Sequence, residues 1–473
     1  MNETEFIQQL MLRIKAAEPL IWIDTPDNDW IIDSLKRDLE SSKIHYSIIQ
    51  KPPFNTFDNS TAQHVYIWFD VSMRELDANA EDIYRHNGQL KTTATLIILT
   101  PLGQTRPQSL SKIPTHNAPM PSTDERKSLA KNALGKLAEN TEKLDRIAFS
   151  SAGLTRTQLY RVLMRCSVEA TNNPSFDDWE RRIVDEKKQI LAKDLSLEVM
   201  DDPASMDDVG GADELKLWIK QRTAVFSEDA KKFGLMPPRG LMLVGIQGCG
   251  KSLIAKAIAN AWKFPLLKLD MSAIFADNSE SPDAVLQRAL QVADAMAPAV
   301  IWCDEIEKAF AEGSDPTTRR LLGHILNWLQ ERRANSFFVA TANDVRELPS
   351  ELIRKGRFDE LFFIDLPDEK ARADIFAIHL KKRNRNPKLF NCEQLAMKSQ
   401  HFSGAEIEQA VISGLFSAFA HHREITQDDI IDAIQDTVPL YKQREDDIKH
   451  LREWATERTR SAANNARMLS YFN

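Results

Sequence analysis

The sequence has no run of about 18 or more apolar residues, which excludes a membrane-spanning helix. It opens Met1-Asn2-Glu3-Thr4-Glu5, without the basic-then-apolar order of a secretory leader. Cysteine is sparse and unpatterned. Cys166, Cys249, Cys303 and Cys392 lie far apart, with neither metal-ligand spacing nor a disulfide framework. A reducing, cytoplasmic setting is the expectation. An excess of basic charge is also missing: 61 Lys and Arg stand against 69 Asp and Glu, a net charge of -8. That balance argues against nucleic acid as the partner. Glycine is scarce, at 16 residues, and only four precede position 205. Seven of the 16 lie between Gly210 and Gly250. Glycine serves where backbone bends sharply or approaches a ligand closely, so this cluster marks a candidate site.

What is present is an ordinary soluble composition, 42% hydrophobic and 27% charged. At roughly 150 residues per domain, 473 residues suggest about three domains. The second half alternates short apolar runs with helical periodicity. Gly240–Gly245, Phe264–Asp270, Ala299–Asp304, Ser336–Thr341 and Leu361–Asp365 read as strands. Lys251–Trp262 and Asp283–Met296 read as helices. This order predicts a parallel sheet covered on both faces. From Asp368 the strands stop. Glu369–Lys382, Cys392–Lys398, Ser403–Ala420 and Thr426–Gln435 predict a small helical domain, with Thr426 as an N-cap and Asp429 at N3. Tyr441–Met468 predicts a charged helical tail, and about Asn172–Asp202 a charged, helix-rich connector.

The first half reads as a worn copy of the same order. Leu20–Asp24 matches the first strand, His64–Asp70 the third and Thr95–Thr100 the fourth. Pro121–Arg126 parallels Pro367–Arg372, and Phe149–Gly153 parallels Phe402–Ala405. An unrelated α/β domain is the competing reading. After its first strand this half has Thr25-Pro26-Asp27-Asn28-Asp29, with no glycine or lysine and two carboxylates where phosphate would sit. No ATP is expected there.

Gly245-Ile246-Gln247-Gly248-Cys249-Gly250-Lys251-Ser252 fits the pattern G-x4-G-K-[ST] between a predicted strand and a predicted helix. Its backbone N–H groups would wrap phosphates, with the helix dipole behind them. Lys251 would reach the β- and γ-phosphates, and the Ser252 hydroxyl would bind Mg²⁺. Cys249 reads as a small loop residue rather than a reactive thiol. Asp304 and Glu305 close the third strand, where parallel sheets place ligand chemistry. Asp304 would hold Mg²⁺ and Glu305 would deprotonate the attacking water. Glu307 and Lys308 read as a solvated helix start. Asn343 would bond the γ-phosphate and the water, with an ordinary Asx-turn as the alternative. Arg354 and Arg357 sit three apart before the fifth strand, a spacing that alone is usually a surface ion-pair feature.

With those residues in order, the segment from Asp208-Val209-Gly210-Gly211 to about Gln435 resembles the classical AAA ATPases of the AAA+ group. The fold that the resemblance implies is an α/β P-loop AAA+ ATPase module, a parallel sheet with helices on both faces plus a helical lid. A degenerate AAA-like α/β domain precedes it. It also implies that Arg354 and Arg357 are arginine fingers acting on a neighbouring subunit of a ring, commonly a hexamer. Adenine contacts would come from Asp208, Val209 and Gly210 and from His379; Leu253 would follow Ser252 against the nucleotide, and Gly404 and Ala405 would pack beside it. Ile246–Gly248, Trp302–Lys308, Asn327–Leu329 and Arg357–Glu360 look like the AAA proteins named after a hypothetical chloroplast reading frame. For such a protein the setting would be the cytoplasm, or the plastid stroma if plastid-encoded.

The expected domains are then residues 1–170, a degenerate ATPase-like domain without a phosphate loop; 171–205, a helical connector; 206–367, the ATPase domain; 368–436, the lid; and 437–473, a helical tail. One departure concerns the pore loop of classical translocases. In Ala273–Pro282, Asn278 replaces the usual glycine and the aromatic position is absent or shortened, leaving Phe275. Ala311–Asp315 could serve as a second pore loop or be an ordinary surface loop. The implied function is a Mg-ATP hydrolase that remodels an unidentified protein partner. The alternative is a nucleotide-gated scaffold whose first domain docks partners. A nucleic-acid motor is disfavoured, although Lys381–Arg385 is a short basic patch.

Overall fold

Continuous apolar runs become the central strands of two sheets in the computed structural model of this chain. The described residues are 3–52, 54, 63–89, 93–101, 104, 106–135, 141–169, 179, 182–183, 185–187, 189, 197–200, 204–226, 230, 232–276, 281–310, 316–331, 336–354 and 356–463. The chain divides into two compact units. One comprises Met1–Lys193 with Ala284–Ala297, the other Asp194–Asp283 with Pro298–Asn473.

In the first unit the strands are β1 (Leu20–Asp24), β2 (His45–Ile49), β3 (His64–Trp68), β4 (Ala94–Thr100) and β5 (Thr115–Asn117). They form one sheet in the order β2-β3-β4-β1-β5, every neighbouring pair parallel. Strand β4 is buried along its whole length, as a continuous apolar run requires. Strand β2 lies outside the sequence expectation because it is a half-exposed edge without such a run. Helix Asn28–Ser41 packs Trp30, Ile31, Leu35 and Leu39 onto one face of the sheet. Helices Thr123–Leu134, Thr141–Ser150 and Arg156–Glu169 share a separate core with Leu134, Ile147, Leu159 and Leu163.

In the second unit the strands are β6 (Leu197–Met200), β7 (Gly240–Gly245), β8 (Leu266–Leu269), β9 (Ala299–Cys303), β10 (Ser336–Ala342), β11 (Glu360–Ile364) and β12 (Arg460–Ser461). Their order is β12-β11-β7-β10-β9-β8-β6. All pairs are parallel except β6 with β8, where Glu198 stands opposite Lys268. Strand β6 falls in the range expected to be a helical connector. The four helices after Asp368 enclose Phe376, Leu380, Leu395, Phe402, Ile407, Val411 and Ile430. At the last of them Asp429 accepts from the Thr426 N–H at 2.8 Å and from the Thr426 hydroxyl at 2.7 Å. Arg423 grips the same carboxylate with both guanidinium nitrogens and holds it well below the usual carboxylate range.

The tail is not one helix. Leu440–Gln443 and Glu445–Arg458 are helical, and the chain then turns extended at Thr459 and adds β12 to the edge of β11. Edge backbone groups drive this. The Ala462 N–H donates to the Phe363 carbonyl at 3.0 Å, and the Ala462 carbonyl accepts from the Glu214 N–H at 3.0 Å. Arg452 fastens the helix by bonding both oxygens of Asp365, at 2.9 and 3.1 Å.

The two sheets share one order: β2, β3, β4, β1 and β5 stand as β8, β9, β10, β7 and β11 do. An arginine bonded to two backbone carbonyls is also shared. Arg126 donates to the Ala148 carbonyl at 2.7 Å and to the Pro121 carbonyl at 2.6 Å. Arg372 donates to the Ala396 carbonyl at 3.0 Å and to the Pro367 carbonyl at 2.9 Å. Ser151 and Ser399 bond those same alanine carbonyls. This corrects the sequence alignment of the repeat. The counterpart of Phe402-Ser403 is Leu154-Thr155, not Phe149-Ser150, because Thr155 and Ser403 both cap the next helix.

The Arg452–Asp365 pair is half-buried and doubly bonded. Arg452→Gln should lower the stability of the second unit by about 1–2 kcal/mol in urea unfolding. Asp365→Asn should cost a similar amount, and the double variant less than the sum.

Candidate functional site

The segment Ile246–Gly250 joins β7 to helix Lys251–Trp262 at the carboxyl ends of the strands. Gly245 is pressed against β11: a Cβ there would lie 2.1 Å from the Ile364 carbonyl oxygen. The Ile246 N–H donates to that oxygen at 3.1 Å. Gly248 has φ +78 and its carbonyl accepts from the Ala405 N–H at 3.0 Å, so the lid helix Gly404–Ala420 starts against the loop. Gln247 is exposed, while Cys249 and Leu253 pack partly onto the core. Burial pushes the Cys249 thiol up to about 12, which fits a packing residue and not a thiolate nucleophile.

Lys251 is buried, and its Nζ donates to the Gly245 and Ile246 carbonyls, both at 2.8 Å. Desolvation pushes its pKa down to about 8 against the pull of nearby carboxylates. The Ser252 hydroxyl lies 3.2 Å from Asp304 Oδ1. A hydroxyl and a carboxylate side by side are a hard-oxygen pair suited to Mg²⁺.

Strand β10 lies between β7 and β9 and supplies the next groups. Asn343 Nδ2 donates to Glu305 Oε1 at 2.8 Å, and Lys308 pairs with the other Glu305 oxygen. Glu305 itself has φ 49, a left-handed conformation that a non-glycine residue holds only when its surroundings fix it. Glu307 corrects the sequence expectation. It is 2% exposed, not solvated, and its Oε1 accepts from the Asn343 N–H at 2.9 Å. Burial raises its pKa.

On the other side of the loop, Gly210 packs on helix Glu369–Lys382, where a Cβ would lie 2.3 Å from Ile375 Cγ1. Asp208 pairs with Lys382 at 3.3 Å, and the Val209 carbonyl accepts from Lys216. His379 is largely buried on the same helix, 3.6 Å from Glu408, and desolvation lowers its pKa. The basic patch is neutralised locally, with Lys382, Arg383 and Arg385 paired to Asp208, Glu408 and Glu424.

Arg354 is exposed. Arg357 is half-buried, and its Nε and Nη1 have no hydrogen-bond partner among the described residues. The register pairs Glu360 with Leu241 and Ile364 with Gly245. Arg357 therefore precedes the start of β11, whereas the phosphate loop follows its end, four residues or about 13 Å of strand away. The structure does not bring the two arginines to the Lys251–Asp304 cluster. The pore-loop residues 277–280 and 311–315 lie outside the described residues, and Phe275 beside them is exposed.

Residues 241–366 match the model of the ATPase family associated with various cellular activities (AAA). The chain is 39% identical to the AAA domain-containing protein ycf46 of Guillardia theta, over 95% of each chain. This chain belongs to the AAA family, among the ycf46-type proteins. It is similarly 33% identical to ycf46 of Pyropia yezoensis, over 97% of this chain and 99% of that one. It is 29% identical to the proteasome-activating nucleotidase of Thermococcus onnurineus, over 51% of this chain and 63% of that one.

The five strands of the first unit have the order of five strands of the second, with other residues in the corresponding places. Helix Asn28–Ser41 begins with Asn28 where helix Lys251–Trp262 begins with lysine. By register, Phe69 and Asp70 stand where Asp304 and Glu305 do, and Asp70 has the same left-handed backbone, φ 53. The Asp27 carboxylate accepts from the Thr157 N–H at 3.2 Å and the Thr157 hydroxyl at 2.7 Å. A fixed carboxylate thus occupies the helix start. Arg156, in the place of Gly404, lies over the Trp30 ring at 3.8 Å and bonds Glu125.

Lys251 generates a pH prediction. Its depressed pKa leaves it mostly neutral above pH 8, and adjacent phosphates would restore the charged form. ADP binding at pH 9 should take up about one proton through Lys251, and at pH 7 nearly none. Calorimetry in buffers of different ionisation enthalpy reads this directly.

Proposed function

We propose that this chain hydrolyses ATP and that its turnover drives rearrangement of a protein partner. The observation that carries the proposal is the cluster at the carboxyl ends of β7, β9 and β10, with Lys251, Ser252, Asp304, Glu305 and Asn343 on adjacent strands. The loop backbone and Lys251 would hold the β- and γ-phosphates. Asp208, Val209, Gly210 and His379 would flank the adenine, with Gly404 and Ala405 closing from the lid. Ser252 and Asp304 are the residues to hold Mg²⁺, which would neutralise phosphate charge when bound.

Glu305 takes a proton from water as the water oxygen attacks the γ-phosphorus. The bond to the β–γ bridging oxygen breaks, and its electron pair leaves with ADP. In the present arrangement Glu305 is engaged by Asn343 and Lys308. These two contacts orient the carboxylate and leave acceptor sites on its oxygens for the water. Arg357, whose Nε and Nη1 have no hydrogen-bond partner among the described residues, would stabilise charge on the phosphate held by a neighbouring copy, with Arg354 beside it. The active form is then a ring, a hexamer being the expected size. The alternative is a nucleotide-gated scaffold whose first unit docks the partner; the Asp27–Thr157 bonds and the Arg156–Trp30 contact at the corresponding helix start support a first unit without nucleotide.

Glu305→Gln should keep ATP binding and reduce turnover by about 100-fold or more. Lys251→Ala should lose nucleotide. Wild-type turnover per chain should rise with protein concentration, and Arg357→Ala should abolish that rise while still binding ATP. Sedimentation and phosphate release on the same samples test both. A concentration-independent rate from a monomer contradicts the trans arrangement.

A further inference from the structure

We propose that Thr341 is a positioning residue that locks the metal-side carboxylate and the base into one unit. The inference rests on the reading of Asp304 and Glu305 given above. Thr341 is fully buried on β10. Its hydroxyl donates to Asp304 Oδ1 at 2.5 Å and accepts from the Glu305 N–H at 2.9 Å. A hydroxyl has one proton to give. Spending it on Asp304 turns a lone pair toward Glu305, so the two bonds strengthen each other.

Both ends of this bridge matter to the chemistry. At Asp304, the bond fixes one carboxylate oxygen and so the direction from which the pair with Ser252 can close on a cation. At Glu305, the bond holds the N–H of a residue whose backbone is left-handed, a conformation that a non-glycine residue keeps only when its surroundings fix it. Two residues further along the same strand direction, Asn343 holds the Glu305 side chain, and Glu307 holds the Asn343 N–H. Strand β10 therefore sets the base at its backbone and at its carboxylate. Thr341→Val would fill the same volume with neither bond. Thr341→Ser would keep both.

The test compares Thr341→Val and Thr341→Ser in the full chain, with Glu305→Gln alongside. Thr341→Val should lower kcat by about 10- to 100-fold, as a misplaced reacting group does, with KM for ATP within about threefold. It should also raise the Mg²⁺ concentration for half-maximal binding of a fluorescent ATP analogue, read without turnover in the Glu305→Gln background. Thr341→Ser should recover most of both. Folded Thr341→Val with unchanged kcat and Mg²⁺ dependence overturns the proposal, and so does Thr341→Ser no better than valine. If valine prevents folding, Thr341→Ser against Thr341→Ala makes the same comparison. Wild-type rates in Glu305→Gln would instead overturn the assignment of the base, a separate failure.

Discussion

Strand β10 lies between β7 and β9, and the candidate site depends on that placement. A parallel sheet delivers the ends of neighbouring strands to one edge. Here the edge receives the glycine-rich loop 246–250 from β7, Asp304 and Glu305 from β9, and Thr341 and Asn343 from β10. The chain separation is large, with Lys251, Glu305 and Asn343 spread over more than ninety residues, but the strands stand about 5 Å apart. Gly245 lets β7 and β11 meet without a clash, and the lid enters through the Gly248–Ala405 bond. The tail then closes the sheet edge at β12 and ties the last helix to Asp365.

The first unit separates frame from chemistry. It has the same order of five strands, the same carbonyl-bonded arginine under its helical layer and the same left-handed residue after its third strand. The side chains in the places that would meet phosphate and metal differ. Phe69, Asn28 and Arg156 stand in the places of Asp304, Lys251 and Gly404, and Asp27 supplies an anion to the helix start. Packing preserves the frame because apolar strands and capped helices do not require the ligand. The result is a body closed by its own ion pairs and hydrogen bonds.

Much of this was legible in the sequence, for identifiable reasons. Strand β7, helix Lys251–Trp262 and the lid helices have continuous runs or clean caps, and their limits can be read directly. The phosphate loop is a contiguous pattern. Strands β2, β5, β6 and β12 were not legible, since each is short and at or near an edge, held by backbone pairing rather than by apolar content. Glu307 was misread as solvated because charge alone suggests exposure; its partner is a backbone N–H from another strand. Thr341 was visible only as a neighbour of Asn343. Its two bonds depend on contacts across 36 and 37 residues, which no local pattern records.

The account requires one nucleotide site per chain, in the second unit. The direct measurement is calorimetric titration of Mg-ATP into the full Glu305→Gln chain, repeated with Lys251→Ala added. The account predicts one nucleotide per chain in the first case and none in the second. Two per chain, or binding that survives Lys251→Ala, would contradict it by showing that the first unit holds nucleotide despite Asp27 and Arg156.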